Sequence, residues 1–477
     1  MQKFFLRAIS LHKIMVFSSI PFLYVFLPLV LAVYFIAPKK LKNTVLLIFS
    51  LAFYWWGEPK YTVLMLVTIT FCYLAGLLTE KMRETRYAKP LLVISVAVPL
   101  IFLGIFKYAD FLLGSIGSLT GADIPLLKLA LPIGISFYTF QALSYVVDVY
   151  RGDAPAQKNW INLAAYVVLF PQLIAGPIVR YTTVAEDLTS RTHSLENFSL
   201  GARRFVVGLG KKVLIANILG ALCTAYRGST EPSVTFAWIY AISYSLQIYF
   251  DFSAYSDMAI GMGKMLGFRF LENFDYPYVS KSITEFWRRW HISLGSWFRD
   301  YVYIPLGGNR KGTLRHIINI FVVWGLTGIW HGAGWTFMSW GLYFGVLLIL
   351  EKFIYGKALK KAPSFIQNFY VIFAVIISFV LFNATTFGEA WSDIRIMFGI
   401  GGLPFITADT VYNLKSYLVV LLVALFAATP VARNLARKYE RKKVIAVLEP
   451  VFVAVILIIS TAYLVDGSFN PFLYFRF

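Results

Sequence analysis

Between Ile317 and Leu350 the chain reads IINIFVVWGLTGIWHGAGWTFMSWGLYFGVLLIL, which is two apolar runs separated by Gly-Ala-Gly. A helix that spans a membrane needs about 20 mostly apolar residues, so 317–331 and 335–354 are predicted to be membrane helices. His331 lies where the first run ends. An ionisable side chain at membrane depth is costly and usually faces a cavity or a partner. Histidine also moves protons readily near neutral pH, so His331 is a candidate for chemistry inside a membrane protein.

The rest of the chain has the same apolar character. Of its 477 residues, 58% are hydrophobic and 14% are charged, and the mean hydropathy is +0.68. Soluble proteins carry about 25% charged residues, so the composition indicates a polytopic membrane protein. The net charge of +20 comes from Lys and Arg in short segments between apolar runs, which indicates topology signals rather than nucleic-acid binding. Cys72 and Cys223 lie in apolar runs and are predicted to be buried thiols, not disulfide or metal ligands.

The predicted fold is all-α, with roughly 10–12 membrane segments, re-entrant segments and one membrane domain over 15–465 that follows an extension, 1–14. Basic connections are placed in the cytoplasm and the C-terminal tail, 466–477, outside. The string from Phe170 to Val179 contains two prolines and a glycine, and is predicted to be broken backbone that re-enters the membrane. The candidate segments are 16–37, 43–57, 61–79, 90–106, 125–150, 204–225, 234–262, 317–331, 335–354, 368–388, 415–430 and 444–465.

The longest polar connection runs from Lys264 to Arg315. Within it, Glu285 to Asp300 is predicted to form one amphipathic helix, because its aromatic residues fall on one side at 100° per residue. His291 lies at the edge of the apolar side. A helix with Trp beside Arg is typical of the membrane interface.

Six strings are spread in order over most of the chain. They are GISFYTF at 134–140, FPQLIAGP at 170–177, FDFSAYSD at 250–257, WRRWH at 287–291, YIPLGGNR at 303–310 and GIWH at 328–331. In this order they resemble a known family, the membrane-bound O-acyltransferases, and within it the bacterial alginate O-acetyltransferase-like branch. The resemblance implies a multi-helix fold with a central funnel, and transfer of an acyl group across the membrane to an extracytoplasmic polymer.

The resemblance also implies roles for two histidines. His331 would be the general base that takes the proton from an attacking hydroxyl, with Gly332 and Gly334 allowing the substrate to approach closely. The alternative is a histidine that packs between helices. His291 would position the acyl carbonyl or orient His331, and its alternative is an ordinary interfacial residue.

Other polar and aromatic residues are candidates for the tunnel or for contacts with the acyl donor. The arginines are expected to meet either coenzyme A phosphates or lipid headgroups, with headgroups favoured for most of them. The carboxylates either line the funnel or pair with arginines. The remaining polar groups have interhelical hydrogen bonding as their alternative. The candidates are Trp287, Arg288, Arg289, Trp290, Trp330, Asp251, Tyr255, Ser256, Asp257, Tyr138 and Gln141.

The C-terminal tail ends in Asn-Pro-Phe-Leu-Tyr-Phe-Arg-Phe. One interpretation is an aromatic anchor at the membrane interface. The interpretation that the family suggests is a tail that folds into the funnel, where Tyr474 accepts the acyl group and passes it on.

The predicted function is O-acetylation of an extracytoplasmic polysaccharide, alginate-like or of the cell wall, by an enzyme of the cytoplasmic membrane. Acetyl-CoA would be the donor, and no metal or tightly bound cofactor is expected because no cluster has ligand spacing. The family implies an extracytoplasmic SGNH-type acyltransferase as partner. The alternative function is a transporter or flippase of an acyl donor or a lipid-linked sugar. Release of thiol from acetyl-CoA that depends on His331 would distinguish the two.

Overall fold

A computed structural model describes residues 15–174, 176–439, 443–467, 470, 471 and 473, and these residues contain helices and irregular segments but no strands. The α-helices, labelled in chain order, are α1 (Leu27–Ile36), α2 (Lys42–Gly57), α3 (Pro59–Met82), α4 (Ala88–Leu103), α5 (Ala109–Thr120), α6 (Ile135–Arg151), α7 (Trp160–Val168), α8 (Phe170–Leu173), α9 (Tyr181–Thr189), α10 (Leu195–Gly210), α11 (Asn217–Gly228), α12 (Val234–Met265), α13 (Ile283–Arg289), α14 (Ile292–Phe298), α15 (Thr313–His331), α16 (Trp335–Leu350), α17 (Gly356–Lys361), α18 (Ser364–Asn383), α19 (Phe387–Met397), α20 (Ala408–Ala427), α21 (Val431–Tyr439) and α22 (Lys443–Val465).

Short segments of other helix types adjoin these elements. Wider, π-helical turns of this kind often mark functional sites. The π-helical segments are Phe22–Phe26, Gly104–Tyr108, Lys211–Ala216, Arg299–Tyr303 and Glu351–Tyr355. The 3₁₀ segments are Lys39–Leu41 and Pro277–Val279.

Eight helical segments within the described residues are long and apolar enough to cross a membrane. They confirm the prediction of an all-α, polytopic membrane protein. The central funnel remains a prediction. The spans are Pro59–Met82, Ala88–Thr120, Leu195–Gly228, Thr313–His331, Trp335–Lys361, Ser364–Asn383, Ala408–Ala427 and Val447–Val465.

The described residues fall into two compact units. The first unit contains the described residues up to Phe205 together with Tyr255–Leu271, and the second contains Val206–Ala254 and the described residues from Glu272 onward. The prediction of one membrane domain over 15–465 stays a prediction.

In the first unit, the structure differs from the segment predicted over 125–150 and agrees with the broken backbone predicted near Phe170. The segment predicted over 125–150 becomes helical only at Ile135, because prolines at 125 and 132 disfavour helix before them and Gly134 has φ of 72°. Downstream, α7 and α8 are separated by a non-helical Leu169 with ψ of 112°. The backbone is therefore broken where the prolines and glycine predicted a break.

The second unit is built around the hairpin of α15 and α16. Their backbones approach closely, because a Cβ on Gly328 would collide with the Phe337 carbonyl and a Cβ on Gly341 with the Trp324 carbonyl. Small residues at such crossings are typical of membrane helices. The close crossing fixes the end of α15, and that end carries His331.

Candidate active site

His331 is the last residue of α15, and the chain leaves the helix at Gly332 in an extended conformation with φ of −169° and ψ of 153°. Its side chain sits among aromatic rings, with centroid distances of 5.0 Å to Trp330, 5.1 Å to Trp340 and 5.4 Å to Phe382. The residue is 7% exposed. The rings exclude solvent and fix the plane of the imidazole.

A small cavity of about 20 Å³ lies against His331. A space of about this size holds a single water molecule. Its wall includes Asp251 on α12 and Leu473 of the C-terminal tail, both far from His331 in the sequence. The lining residues are Ile248, Asp251, Phe252, Trp290, His331, Trp340, Phe379, Phe382 and Leu473.

His291 lies between two short helices rather than on one long helix, which corrects the prediction of a single amphipathic helix over 285–300. It has φ of 46° and ψ of 53°, the left-handed region. Such a conformation is uncommon for a residue with a side chain and costs about 1–3 kcal/mol unless the surroundings fix it.

Hydrogen bonds from an irregular segment cause the break. Asp275 N donates to the Arg289 carbonyl at 2.9 Å, and Ile292 N donates to the Asn273 carbonyl at 3.0 Å. Before the break, Ser282 caps α13 by accepting from Glu285 N at 3.0 Å, as the spacing of Ser and Glu favours. Tertiary contacts therefore override the helical periodicity at Trp290 and His291.

The side chain of Asn273 fixes the tautomer of His291. Ser293 N donates to Asn273 Oδ1 at 3.1 Å, and His291 Nδ1 lies 3.2 Å from the same atom. Because a backbone N–H only donates, the atom it meets is the amide oxygen, which only accepts. His291 Nδ1 therefore carries the hydrogen and donates it to Asn273.

The other nitrogen of His291, Nε2, has no hydrogen-bond partner among the described residues. Burial lowers the pKa of His291 well below its ordinary value, and the nearby His331 lowers it further. The imidazole is therefore neutral near pH 7, and Nε2 presents a lone pair.

A larger cavity of about 450 Å³ includes His291 in its wall. The wall is mostly aromatic and aliphatic, with two guanidinium groups, and its volume is within the range of about 300–1,000 Å³ for small-molecule sites. The lining residues are Thr284, Trp287, Arg288, His291, Ile292, Leu294, Gly295, Ser296, Phe298, Arg299, Tyr303, Ile320, Val323, Trp324, Thr327 and Leu348.

One aromatic ring connects the two histidines. The Trp330 centroid lies 5.9 Å from that of His291 and 5.0 Å from that of His331. The structure thus brings together His331, His291, Trp287, Arg288, Trp290, Trp330 and Asp251 from the predicted site residues.

The two neighbouring arginines differ in their surroundings. Arg288 lines the larger cavity and has no ion-pair partner among the described residues, whereas Arg289 pairs with Glu285 at 2.9 Å and with Asp275 at 3.1 Å. Arg299 also lines the cavity and pairs with Asp300 at 2.6 Å. Of the two guanidinium groups in the described wall of this cavity, that of Arg288 is thus the one available to a ligand.

The other predicted residues belong to the first unit and line neither cavity. Tyr255 stacks on Phe17 with a centroid distance of 4.4 Å. Asp257 pairs with Arg204 at 2.9 Å, which is the arginine pairing that the sequence allowed. The remaining three are buried: Ser256, Tyr138 and Gln141.

Sequence reasoning missed several residues. Trp340 and Leu473 line the small cavity, and Asn273 holds His291. Lys212 is buried and pairs with Asp251 at 2.6 Å. Local sequence patterns did not single out these residues, because their contacts with the site form only in the folded chain. Tyr474 lies outside the described residues.

The two glycines after His331 differ in their packing. A Cβ on Gly332 would collide with the Phe337 ring, while one on Gly334 would meet the same ring at 3.4 Å. The protein's own packing therefore requires a residue without a side chain at position 332, and close approach of a substrate there stays a prediction.

Comparisons with known proteins agree with this geometry. The family model described as membrane-bound O-acyltransferase matches residues 154–387, which include both histidines. A probable alginate O-acetylase, AlgI, of Pseudomonas aeruginosa is 43% identical over 81% of this chain and 75% of its own length. A protein of the same name from Pseudomonas putida is 38% identical over 97% and 100%. A peptidoglycan O-acetyltransferase of Helicobacter pylori is 33% identical over 82% and 81%.

Proposed function

Because the chain belongs to the membrane-bound O-acyltransferase family, we propose that it moves an acetyl group from cytoplasmic acetyl-CoA across the membrane for O-acetylation of a polysaccharide. One observation carries the proposal: the ring of Trp330 touches both histidines, which line a cavity of ligand size and a pocket of about one water. Family membership decides between the enzyme and the transporter alternative in favour of the enzyme.

The larger cavity is proposed as the donor site. Arg288 offers a charge to a phosphate of coenzyme A, and the aromatic wall around Trp287 and Trp324 suits the apolar arm that carries the thioester. His291 Nε2 accepts a hydrogen bond from an amide N–H of that arm. His291 Nε2 could donate a hydrogen bond to the acyl carbonyl only if it carried the ring hydrogen. The contact with Asn273 assigns that hydrogen to Nδ1.

His331 is proposed as the general base. As the acceptor oxygen attacks the thioester carbon, its proton passes to the His331 imidazole and the carbonyl becomes an oxyanion. The C–S bond then breaks, and the imidazolium returns the proton to the coenzyme A thiolate. A thioester is already activated, so orientation and a base can supply the catalysis without a metal.

Tyr474 is proposed as the first acceptor. Leu473, the preceding residue, lines the small cavity with His331. Since that cavity holds about one water, the sugar ring that carries a polysaccharide hydroxyl has no room there while Leu473 is in place. The phenol oxygen of Tyr474 would take the acetyl group and release it to a hydroxyl of an SGNH-type partner enzyme outside the membrane.

The polymer is proposed from the relatives. Two of the relatives are named probable alginate O-acetylases and one is named a peptidoglycan O-acetyltransferase. These names share one acceptor chemistry, a secreted glycan hydroxyl. Mass spectrometry of secreted and wall polymers from a deletion strain would identify the glycan that loses its acetyl groups.

A single-turnover assay tests the proposal. Purified protein is mixed with acetyl-CoA labelled in the acetyl group, and free thiol and label on the chain are measured. The wild type should release thiol and retain about one acetyl group per chain, and His331→Ala should slow both by about 100- to 10,000-fold. His316→Ala is the matched control because His316 is on the same helix, against Tyr303 and Phe353.

The relay has its own outcome in the same assay. Tyr474→Phe should bind acetyl-CoA normally but retain no acetyl label and support no polymer acetylation. Full polymer acetylation by this variant would exclude the relay through Tyr474. The role of His331 would then still be decided by the thiol release of His331→Ala.

A further inference from the structure

The described residues of the C-terminal tail are held by three polar side chains of the second unit. Leu473 N donates to Asp251 Oδ2 at 2.9 Å. Lys212 Nζ donates to the Pro471 carbonyl oxygen. Asn217 Nδ2 donates to Asn470 Oδ1 at 3.1 Å. These contacts tie residues 470, 471 and 473 to the π-helical turn Lys211–Ala216 and to α11 and α12.

Two of the three side chains form a buried ion pair. Lys212 Nζ lies 2.6 Å from Asp251 Oδ1, and the two side chains are 2% and 3% exposed. Such a pair is weak evidence for a role in stability, because well-packed apolar residues in its place are often equally or more stable. Apolar residues, however, could not bind a peptide backbone.

The pair binds both a donor and an acceptor of the tail backbone. The ammonium group that meets one carboxylate oxygen also meets a carbonyl of the tail, and the other carboxylate oxygen meets an N–H two residues later. We propose that Lys212 and Asp251, assisted by Asn217, are positioning residues that clamp the tail beside His331.

The contact between the Asn217 and Asn470 side chains specifies the register of the tail, because a slip along the chain would remove it. Proline has no N–H, so a slip that moved Pro471 to the place of Leu473 would leave Asp251 Oδ2 without its donor. Leu473 in the correct register fills part of the wall beside His331. The catalytic consequence rests on the proposed function, since only an acyl acceptor on the tail needs this register.

A paired replacement separates clamping from stability. Asp251→Leu alone would leave the Lys212 ammonium buried and unpaired, which is strongly destabilising. The double variant Lys212→Met/Asp251→Leu replaces the pair by apolar side chains and is expected to fold. Asn217→Leu removes the third contact without changing charge.

Hydrogen exchange of the Leu473 amide in the full-length protein is the main measurement. In the wild type this amide should be protected, and in the double variant it should exchange at least about tenfold faster, as for loss of a hydrogen bond to a charged group. The kcat should fall by a similar factor while the KM for acetyl-CoA stays within about twofold. Asn217→Leu should show a smaller change in the same direction.

Asp393→Asn is the matched control, because it breaks the pair of Asp393 with Arg227, 2.6 Å apart in the same unit. It should lower the melting temperature without faster exchange at Leu473. The clamp is excluded if the folded double variant retains Leu473 protection, or if the wild-type amide is unprotected. If the wild-type protein transfers no acetyl group, the proposed function is overturned. The hydrogen exchange of the Leu473 amide would still decide whether Lys212 and Asp251 clamp the tail.

Discussion

At the scale of single residues, the two histidines are held by different means. His331 is fixed by aromatic packing at the end of a helix, with Trp340 and Phe382 against its ring. His291 is fixed by Asn273, which sets its tautomer and directs a lone pair from Nε2. The sequence identified both residues, but it contained no sign of Asn273 as the partner.

Asn273→Asp should change the pH dependence of the reaction. Burial lowers the pKa of His291, so the wild-type residue becomes protonated only below about pH 6.5, its ordinary value. A carboxylate at position 273 would favour the imidazolium and raise that pKa by about one unit or more. Protonation removes the Nε2 lone pair, so the acid-side loss of kcat/KM should move to higher pH.

Ser293→Ala is the control, since it removes a neighbouring hydroxyl without adding charge. Its pH profile should match that of the wild type. An unchanged acid limb in Asn273→Asp would show that the charge state of His291 does not limit the reaction.

Substitutions of the neighbouring residues Arg288 and Arg289 form a matched test of the contact with the acyl donor. Arg288→Gln should raise the KM for acetyl-CoA about tenfold, because it removes a charge from the larger cavity. Arg289→Gln should lower stability by up to about 1 kcal/mol through lost, partly exposed ion pairs, and leave the KM within about twofold. Steady-state kinetics and a melting curve for each variant check this, and equal KM values would exclude Arg288 as a phosphate contact.

At the scale of elements, the periodicity of 285–300 was misleading. Its aromatic residues do fall on one side of an ideal helix, but backbone hydrogen bonds from Asn273 and Asp275 break it into α13 and α14. Periodicity reports the solvent preference of each residue. It does not report a competing backbone partner that arrives from elsewhere in the chain.

The crossing of α15 and α16 gives a prediction about stability. Gly341→Ala should destabilise the protein by about 1–3 kcal/mol, because the added methyl would collide with the Trp324 carbonyl. Gly325→Ala should be neutral or stabilising, since a Cβ there meets only Leu342 at 3.8 Å and alanine favours helix. Thermal unfolding of the detergent-solubilised variants measures both effects, and equal melting temperatures would contradict the close crossing.

At the scale of the whole molecule, three of the candidate spans separate α17 from the tail, namely Ser364–Asn383, Ala408–Ala427 and Val447–Val465. An odd number of crossings puts the two ends on opposite sides. Basic connections favour the cytoplasm, so the connection that contains Lys360 is predicted to be inside and Asp466 outside.

Cysteine labelling tests this orientation. In a Cys72→Ala/Cys223→Ala background, which removes two buried thiols, Asp466→Cys should react with a membrane-impermeant maleimide in intact spheroplasts. Lys360→Cys should react only after the membrane is permeabilised. Labelling of both from the outside would overturn the predicted topology.

The sequence alone determined that this is an all-α membrane protein of the acyltransferase family and selected His331 and His291 as its candidate reactive groups, because apolar length, charge clusters and ordered motifs are local properties of the chain. Only the tertiary structure paired Lys212 with Asp251 and brought Leu473 to the cavity beside His331. It also placed Asn273 against His291 Nδ1, which leaves the lone pair on Nε2. Such contacts join residues far apart in sequence, where the cost of burying a polar group is met by a partner that no local pattern specifies.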